Sequence, residues 1–257
     1  MTSTGSGLAI PDWPLSYGTL FPPLVGGVFY EHGHRMVATL VGFLTLCLVV
    51  WLAVKEERRW VRRLGFYALA CVIVQGLLGG LTVLFLLPSV LSISHAVLAQ
   101  SFFVLTLFIA YSQSSERESM QEQAKEAAPA VLKLSLLLSL LVYVQLILGA
   151  LMRHTGFGLA IHLIQATAIV VVAGQLSAAC IQSFREDSRV LATLVLLDLL
   201  LMTQIVLGVL TVLTQKAAIL ASLHVVTGAV VLGASVLMLL RLAPLTWKET
   251  RELLFVR

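Results

Sequence analysis

Four histidines are the residues best placed to do chemistry: His34, His95, His162 and His224. Each falls within about two turns of one end of a long apolar run, two in each half of the chain. A single histidine in such a run is as readily a hydrogen-bonded packing residue as a ligand. Four at one depth are different, because two imidazoles on facing helices can approach an iron from opposite faces, the six-coordinate arrangement of membrane b-type haems. Zinc is the rival metal, but it takes three or four nearby N, S or O ligands, and no third ligand accompanies either pair.

Glu31 and Arg35 flank His34 and have no counterpart in the second half, where Leu159 and Leu163 stand at the matching positions. If the helix starts early, residues three apart share a face, which aims Glu31 at the haem edge beside His34 for proton transfer or charge stabilisation. Arg35 could pair with a haem propionate or orient the chain against outer-leaflet lipid. His32 and His154 have no repeat partners and read as exposed structural residues. Asp198 falls within a span, where it should be protonated or hydrogen-bonded inside the bundle. Three spans share a Gln-x-x-Leu-Gly pattern, Gln75 to Gly79, Gln145 to Gly149 and Gln204 to Gly208. Glycine-mediated packing with interhelical hydrogen bonds accounts for it, and none of these is assigned to the site.

The elements that must position these residues follow from hydropathy. Of 257 residues, 59% are hydrophobic and 12% charged, and the mean hydropathy is +0.98, beyond the range of soluble domains. Apolar runs at about 36–54, 64–87, 91–111, 131–151, 159–181, 190–213 and 218–240 can each cross a membrane. Lipid offers backbone groups no partners, so the fold is all-α. Of 17 Lys and Arg residues, only Arg35, Arg153 and Lys216 fall on one set of loops. The other loops and the C-terminus are therefore expected in the cytoplasm and the N-terminal segment outside. The net charge of +4 is thereby a matter of topology, not of nucleic-acid binding. Cys47, Cys71 and Cys180 lie inside spans and indicate no disulfide framework. The first 34 residues lack a signal peptide's charged start and apolar core and read as an outer segment.

The halves are duplicates. A shift of 129 residues aligns Gln75, Leu78, Gly79, Leu81, Thr82, Val83, Leu84 and His95 with identical residues ending in His224. A shift of 128 matches His34, Ala38 and Thr39 to His162, Ala166 and Thr167, and a shift of 151 matches Thr4-Gly5-x-Gly7-Leu8-Ala9-Ile10 to residues 155–161. Both copies keep one orientation, so two bundles related by a twofold axis along the membrane normal are expected. The expected parts are an N-terminal half, 1–112, a cytoplasmic linker, 113–130, and a C-terminal half, 131–257. The second Thr-Gly-x-Gly segment follows a span and the first does not, so a further helix is expected upstream of residue 1.

The Gly-rich start with Pro11-Asp12-Trp13-Pro14, Glu31-x-x-His34-Arg35 and the histidines 95, 162 and 224 together resemble the haem A synthase family over the whole chain. The resemblance implies an eight-helix membrane protein of the bacterial plasma membrane. It would oxidise the C8 methyl of haem O to a formyl group by successive hydroxylations. It further implies a permanent haem b on His162 and His224, a substrate haem between His34 and His95 with Arg35 beside it, and Glu31 as catalytic acid. Expected partners are haem O and haem A, membrane lipid and, among proteins, a haem O synthase, an electron acceptor or a further copy of this chain; nucleic acid is not among them. Many members of the family carry a cysteine pair in the first outer loop where this chain has Ile10 and Ser16, so loop thiol chemistry is not expected. A dihaem electron carrier would show the same four histidines, and Glu31 discriminates. A proton-coupled transporter is disfavoured, since its sites and broken helices lie near mid-membrane.

Overall fold

Runs this apolar, with proline absent from their interiors, can pair their backbone groups away from water only as helices. The computed structural model describes residues 4–117, 119–120 and 129–243, and among them are seven helices long and apolar enough to cross a membrane. They are α1 (Gly27–Lys55), α2 (Arg59–Leu84), α3 (Ser89–Gln113), α4 (Pro129–Thr155), α5 (Leu159–Ser183), α6 (Ser188–Leu213) and α7 (Ala218–Leu242). The chain is thus an all-α, multi-pass membrane protein. The shortest helices have 25 residues, about 37 Å at about 1.5 Å per residue, more than the hydrocarbon layer requires. Their outward faces are apolar, with Val54 and Val90 more than 70% exposed, as suits contact with lipid. Much of the expected linker, at 118 and 121–128, lies outside the described residues, as do Lys248, Arg251 and Arg257.

Two helix ends depart from the apolar runs for physical reasons. α1 starts at Gly27, well before residue 36, because the polar residues of its first turns are paired with one another and with the preceding chain, as described below. α2 stops at Leu84, short of 87, because Leu86 and Leu87 turn into the left-handed region, with φ of 59° and 61°, and Pro88 prevents continuation. Leu87 N–H then donates to Thr82 O at 2.7 Å, closing the helix end.

The repeat is visible in the backbone itself. Shifted by 129 residues, α2 and α3 coincide end for end with α6 and α7. The same shift carries Leu86 and Leu87 onto Gln215 and Lys216, which are also left-handed, with φ of 51° and 70°. Thr39 Oγ1 donates to Arg35 O at 2.9 Å, and at a shift of 128 Thr167 Oγ1 donates to Leu163 O at 3.0 Å.

By internal packing the chain divides into two units. The first comprises the described residues up to Ile109 together with Lys216–Ser222; the second comprises Ala110–Gln215 and the described residues from Leu223. In the first, α1 packs on α2, and Leu52, Val61, Ala68 and Ile109 form a buried cluster flanked by Phe102 and Leu105. In the second, α5 packs on both α4 and α6. Ser177 Oγ of α5 donates to Asp198 Oδ2 of α6 at 3.0 Å, so this intramembrane acid is hydrogen-bonded, as expected. Asp187 caps α6, accepting from the N–H groups of Arg189 and Val190 at 2.9 and 3.1 Å. At the end of α7, Arg241 grips Glu116 through Nε at 2.6 Å and Nη2 at 3.0 Å, a bidentate pair that ties the chain after α3 into the second unit.

Candidate functional site

In the second unit, His162 near the start of α5 faces His224 near the start of α7. Their ring centroids are 6.5 Å apart and their planes are inclined by 63°. A metal–imidazole bond is about 2 Å and the nitrogen lies about 1 Å from the ring centre, so two rings on opposite faces of one iron have centroids about 6 Å apart. The observed spacing fits that arrangement. Among the described residues no group of three or more His, Cys, Asp or Glu side chains is placed to hold a metal ion. Two imidazoles alone suit an iron whose other four positions belong to a porphyrin.

In the first unit, His34 of α1 and His95 of α3 are near enough for their charges to interact. His34 is exposed, whereas His95, His162 and His224 are half-buried.

Three glycines determine where the half-buried rings can lie. A β-carbon on Gly79 of α2 would stand 3.2 Å from His95 Cε1, one on Gly149 of α4 3.4 Å from His162 Cε1, and one on Gly208 of α6 3.1 Å from His224 Cε1. Each histidine thus rests its ring edge on the bare backbone of the preceding helix. No glycine among the described residues has the His34 ring as a near neighbour. Gly208→Ala should therefore favour the helix, since alanine exceeds glycine by about 1 kcal/mol, yet push the His224 ring by a few tenths of an ångström. The expected result is a folded protein with roughly tenfold weaker haem b binding. Gly149→Ala, whose β-carbon meets an ordinary contact, should bind nearly normally, and equal losses in a haem titration would show that ring placement is not what matters.

Glu31 is fully buried, and its carboxylate is already engaged. Oε2 accepts from Ile10 N–H at 2.9 Å, and Oε1 pairs with Arg35 Nη2 at 2.7 Å. Arg35 Nη1 also donates to Asp12 O at 2.8 Å and Leu15 O at 2.5 Å. The acid and base that sequence spacing directs at a haem thus clasp the outer segment onto the start of α1. The segment is shaped to match: Tyr17 and Gly18 N–H groups donate to Asp12 at 2.7 and 2.8 Å. These bonds, Gly18's foremost, hold the Asp12 carboxyl below its ordinary range. A β-carbon on Gly80 would lie 2.6 Å from the Trp13 ring, and one on Gly27 2.8 Å from Ala9 Cβ, so both helices receive the segment at glycines. Ile10 and Ser16, at the positions of the family's cysteine pair, are both buried. Ser16 Oγ hydrogen-bonds His32 Nδ1 at 2.9 Å, so His32 is structural but buried, not exposed as the sequence suggests.

Two sets of residues near the histidines escape sequence reasoning. Gln75 Nε2 lies 3.3 Å from His95 Nε2, and Gln204 Nε2 lies 3.4 Å from His224 Nε2. The constant separation of 20 residues between each Gln and its His is the signal that could have found them. Arg153, near the end of α4, stands within electrostatic reach of His224, a proximity with no sequence signal.

Residues 25–165 match a family profile described as cytochrome oxidase assembly protein. A heme A synthase of Symbiobacterium thermophilum is 31% identical over 166 residues, which cover 62% of this chain and 54% of that protein. A heme A synthase of Bacillus licheniformis is 29% identical over the same shares. One of Alkalihalophilus pseudofirmus is 35% identical over 43% of this chain and 36% of its own length. The chain spans about half the length of the first two of these relatives. No solved structure matches.

Proposed function

Because the chain belongs to the haem A synthase family of cytochrome oxidase assembly proteins, we propose that it is an oxidoreductase that converts the C8 methyl of haem O to a formyl group through successive hydroxylations. The observation that carries this reading furthest is the 6.5 Å spacing of the His162 and His224 rings, which suits a resident haem b held by both. When bound, that haem supplies one-electron transfer. Arg153, near His224, supplies positive charge suited to a propionate in the half where Leu163 replaces Arg35.

In the first unit His34 and His95 flank the substrate haem, and asymmetry supports chemistry there, since Glu31 and Arg35 occur in that half alone. Arg35 and the Ile10 N–H keep the Glu31 carboxylate fixed one turn before His34. In this reading Glu31 is the catalytic carboxylate, and Arg35 holds both it and the outer segment over the substrate haem. The one-sided distribution of Lys and Arg supports a bacterial plasma-membrane protein with its N-terminal segment outside and its C-terminus cytoplasmic. An electron acceptor and a haem O synthase are the partners this reaction requires.

The test is haem extracted from cells that make haem O and rely on this chain for haem A. The unaltered chain should yield formyl haem. Glu31→Gln should keep the haem spectra and lower the yield by at least about a hundredfold. Absence of formyl haem from the unaltered chain would overturn the synthase reading; an unchanged yield from Glu31→Gln would remove Glu31 from the chemistry.

A further inference from the structure

The two Gln–His contacts are built alike. Gln75 and Gln204 each sit one turn before the glycine that receives the imidazole, with the amide nitrogen 3.3 and 3.4 Å from Nε2 of His95 and His224. The other ends of both pairs are orphaned: Gln75 Oε1, Gln204 Oε1 and the Nδ1 atoms of both histidines are buried without a hydrogen-bond partner. Gln145 differs, since its Nε2 donates to the backbone carbonyl of His162 at 2.9 Å and not to the ring.

Buried polar atoms are nearly always paired, so a repeated contact that satisfies only one ring nitrogen calls for a reason. A neutral imidazole has one nitrogen bearing a proton and one bearing a lone pair. An amide N–H directed at Nε2 selects the tautomer with the lone pair on Nε2 and the proton on Nδ1. That neutral ring, with an open lone pair, is the form a metal takes. One lone pair cannot serve an amide and an iron together.

We propose that Gln75 and Gln204 are positioning residues that hold His95 and His224 in the metal-ready tautomer and orientation, and surrender the Nε2 lone pair when haem enters. The inference rests on the haem-binding reading above. It concerns loading: the carboxamide acts on the empty site and leaves the loaded one alone.

The test compares the full-length protein with Gln204→Met, which keeps an unbranched side chain of similar length and removes the amide. Protein made without haem is titrated with haem b, its association rate is followed, and the loaded forms are compared by absorption spectrum and midpoint potential. The expected result is about tenfold weaker binding in Gln204→Met, through slower association, with loaded spectrum and potential unchanged. Wild-type affinity in the variant would overturn the proposal. So would a shifted potential in the loaded variant, which would put the carboxamide on the ligated imidazole. If the unaltered protein gives no six-coordinate, bis-imidazole spectrum, the haem-binding reading itself fails, whichever way the variant compares. Helix content by circular dichroism confirms folding, and Gln75→Met read at the His95 half is the second variant should Gln204→Met not fold.

Discussion

Replacing His224 with alanine is expected to remove the six-coordinate haem b signal while leaving the helices intact. The ring shares its 6.5 Å gap with His162, so one axial ligand disappears and the other cannot hold an iron from both faces. Unlike most buried-residue truncations, this one should cost little stability. His224 Nδ1 is already without a partner, and the ring lies against bare backbone at Gly208 with no apolar pocket to collapse. Haem b occupancy should fall by at least about tenfold, whereas His95→Ala, in the other unit, should leave the haem b spectrum in place. Absorption and electron paramagnetic resonance of both purified variants read this directly. A His224→Ala protein with an unaltered low-spin spectrum would place the resident haem elsewhere.

The helices were legible in the sequence because the hydrocarbon layer imposes one rule on every span. The exceptions lie where that rule gives way to specific pairing. The start of α1 is hidden because Glu31 and Arg35 read as loop charges until their mutual neutralisation is known. The end of α2 is hidden because the left-handed turn at Leu86 and Leu87 occurs within an apolar run. His34, His95, His162 and His224 could be recognised from depth and repetition alone. Their surroundings could not. Gln75 and Gln204 look like helix-packing residues until the hairpin closes and brings a residue 20 positions later onto the amide. Arg35 reaches Asp12 and Leu15 through backbone carbonyls, contacts that leave no trace in side-chain chemistry. Duplication gave the strongest warning of function, since Glu31 and Arg35 break a pattern that the helix limits otherwise keep.

The clasp they form also makes Arg35→Ala the most damaging single change expected outside the histidines. Its partner Glu31 is fully buried and the Arg35 side chain is 15% exposed, so removal strands a carboxylate away from water. Breaking a buried pair from one side costs about 3–5 kcal/mol, and here the Asp12 and Leu15 carbonyls lose a donor as well. Glu31→Gln should cost much less, because the amide oxygen can still accept from Arg35 and no buried charge is left alone. Combining the two, Glu31→Gln with Arg35→Ala, should therefore recover part of the stability lost in Arg35→Ala. Thermal unfolding gives the ranking, and limited proteolysis between Asp12 and Leu24 reports whether the outer segment has come loose. Loss of the segment would also lower formyl output even with Glu31 present, so Arg35→Ala and Glu31→Gln separate positioning from chemistry. The first should fail by exposing the segment, the second with the segment still protected. If Arg35→Ala melts and resists protease like the unaltered protein, the clasp does not hold the segment and the asymmetry of the two halves needs another cause.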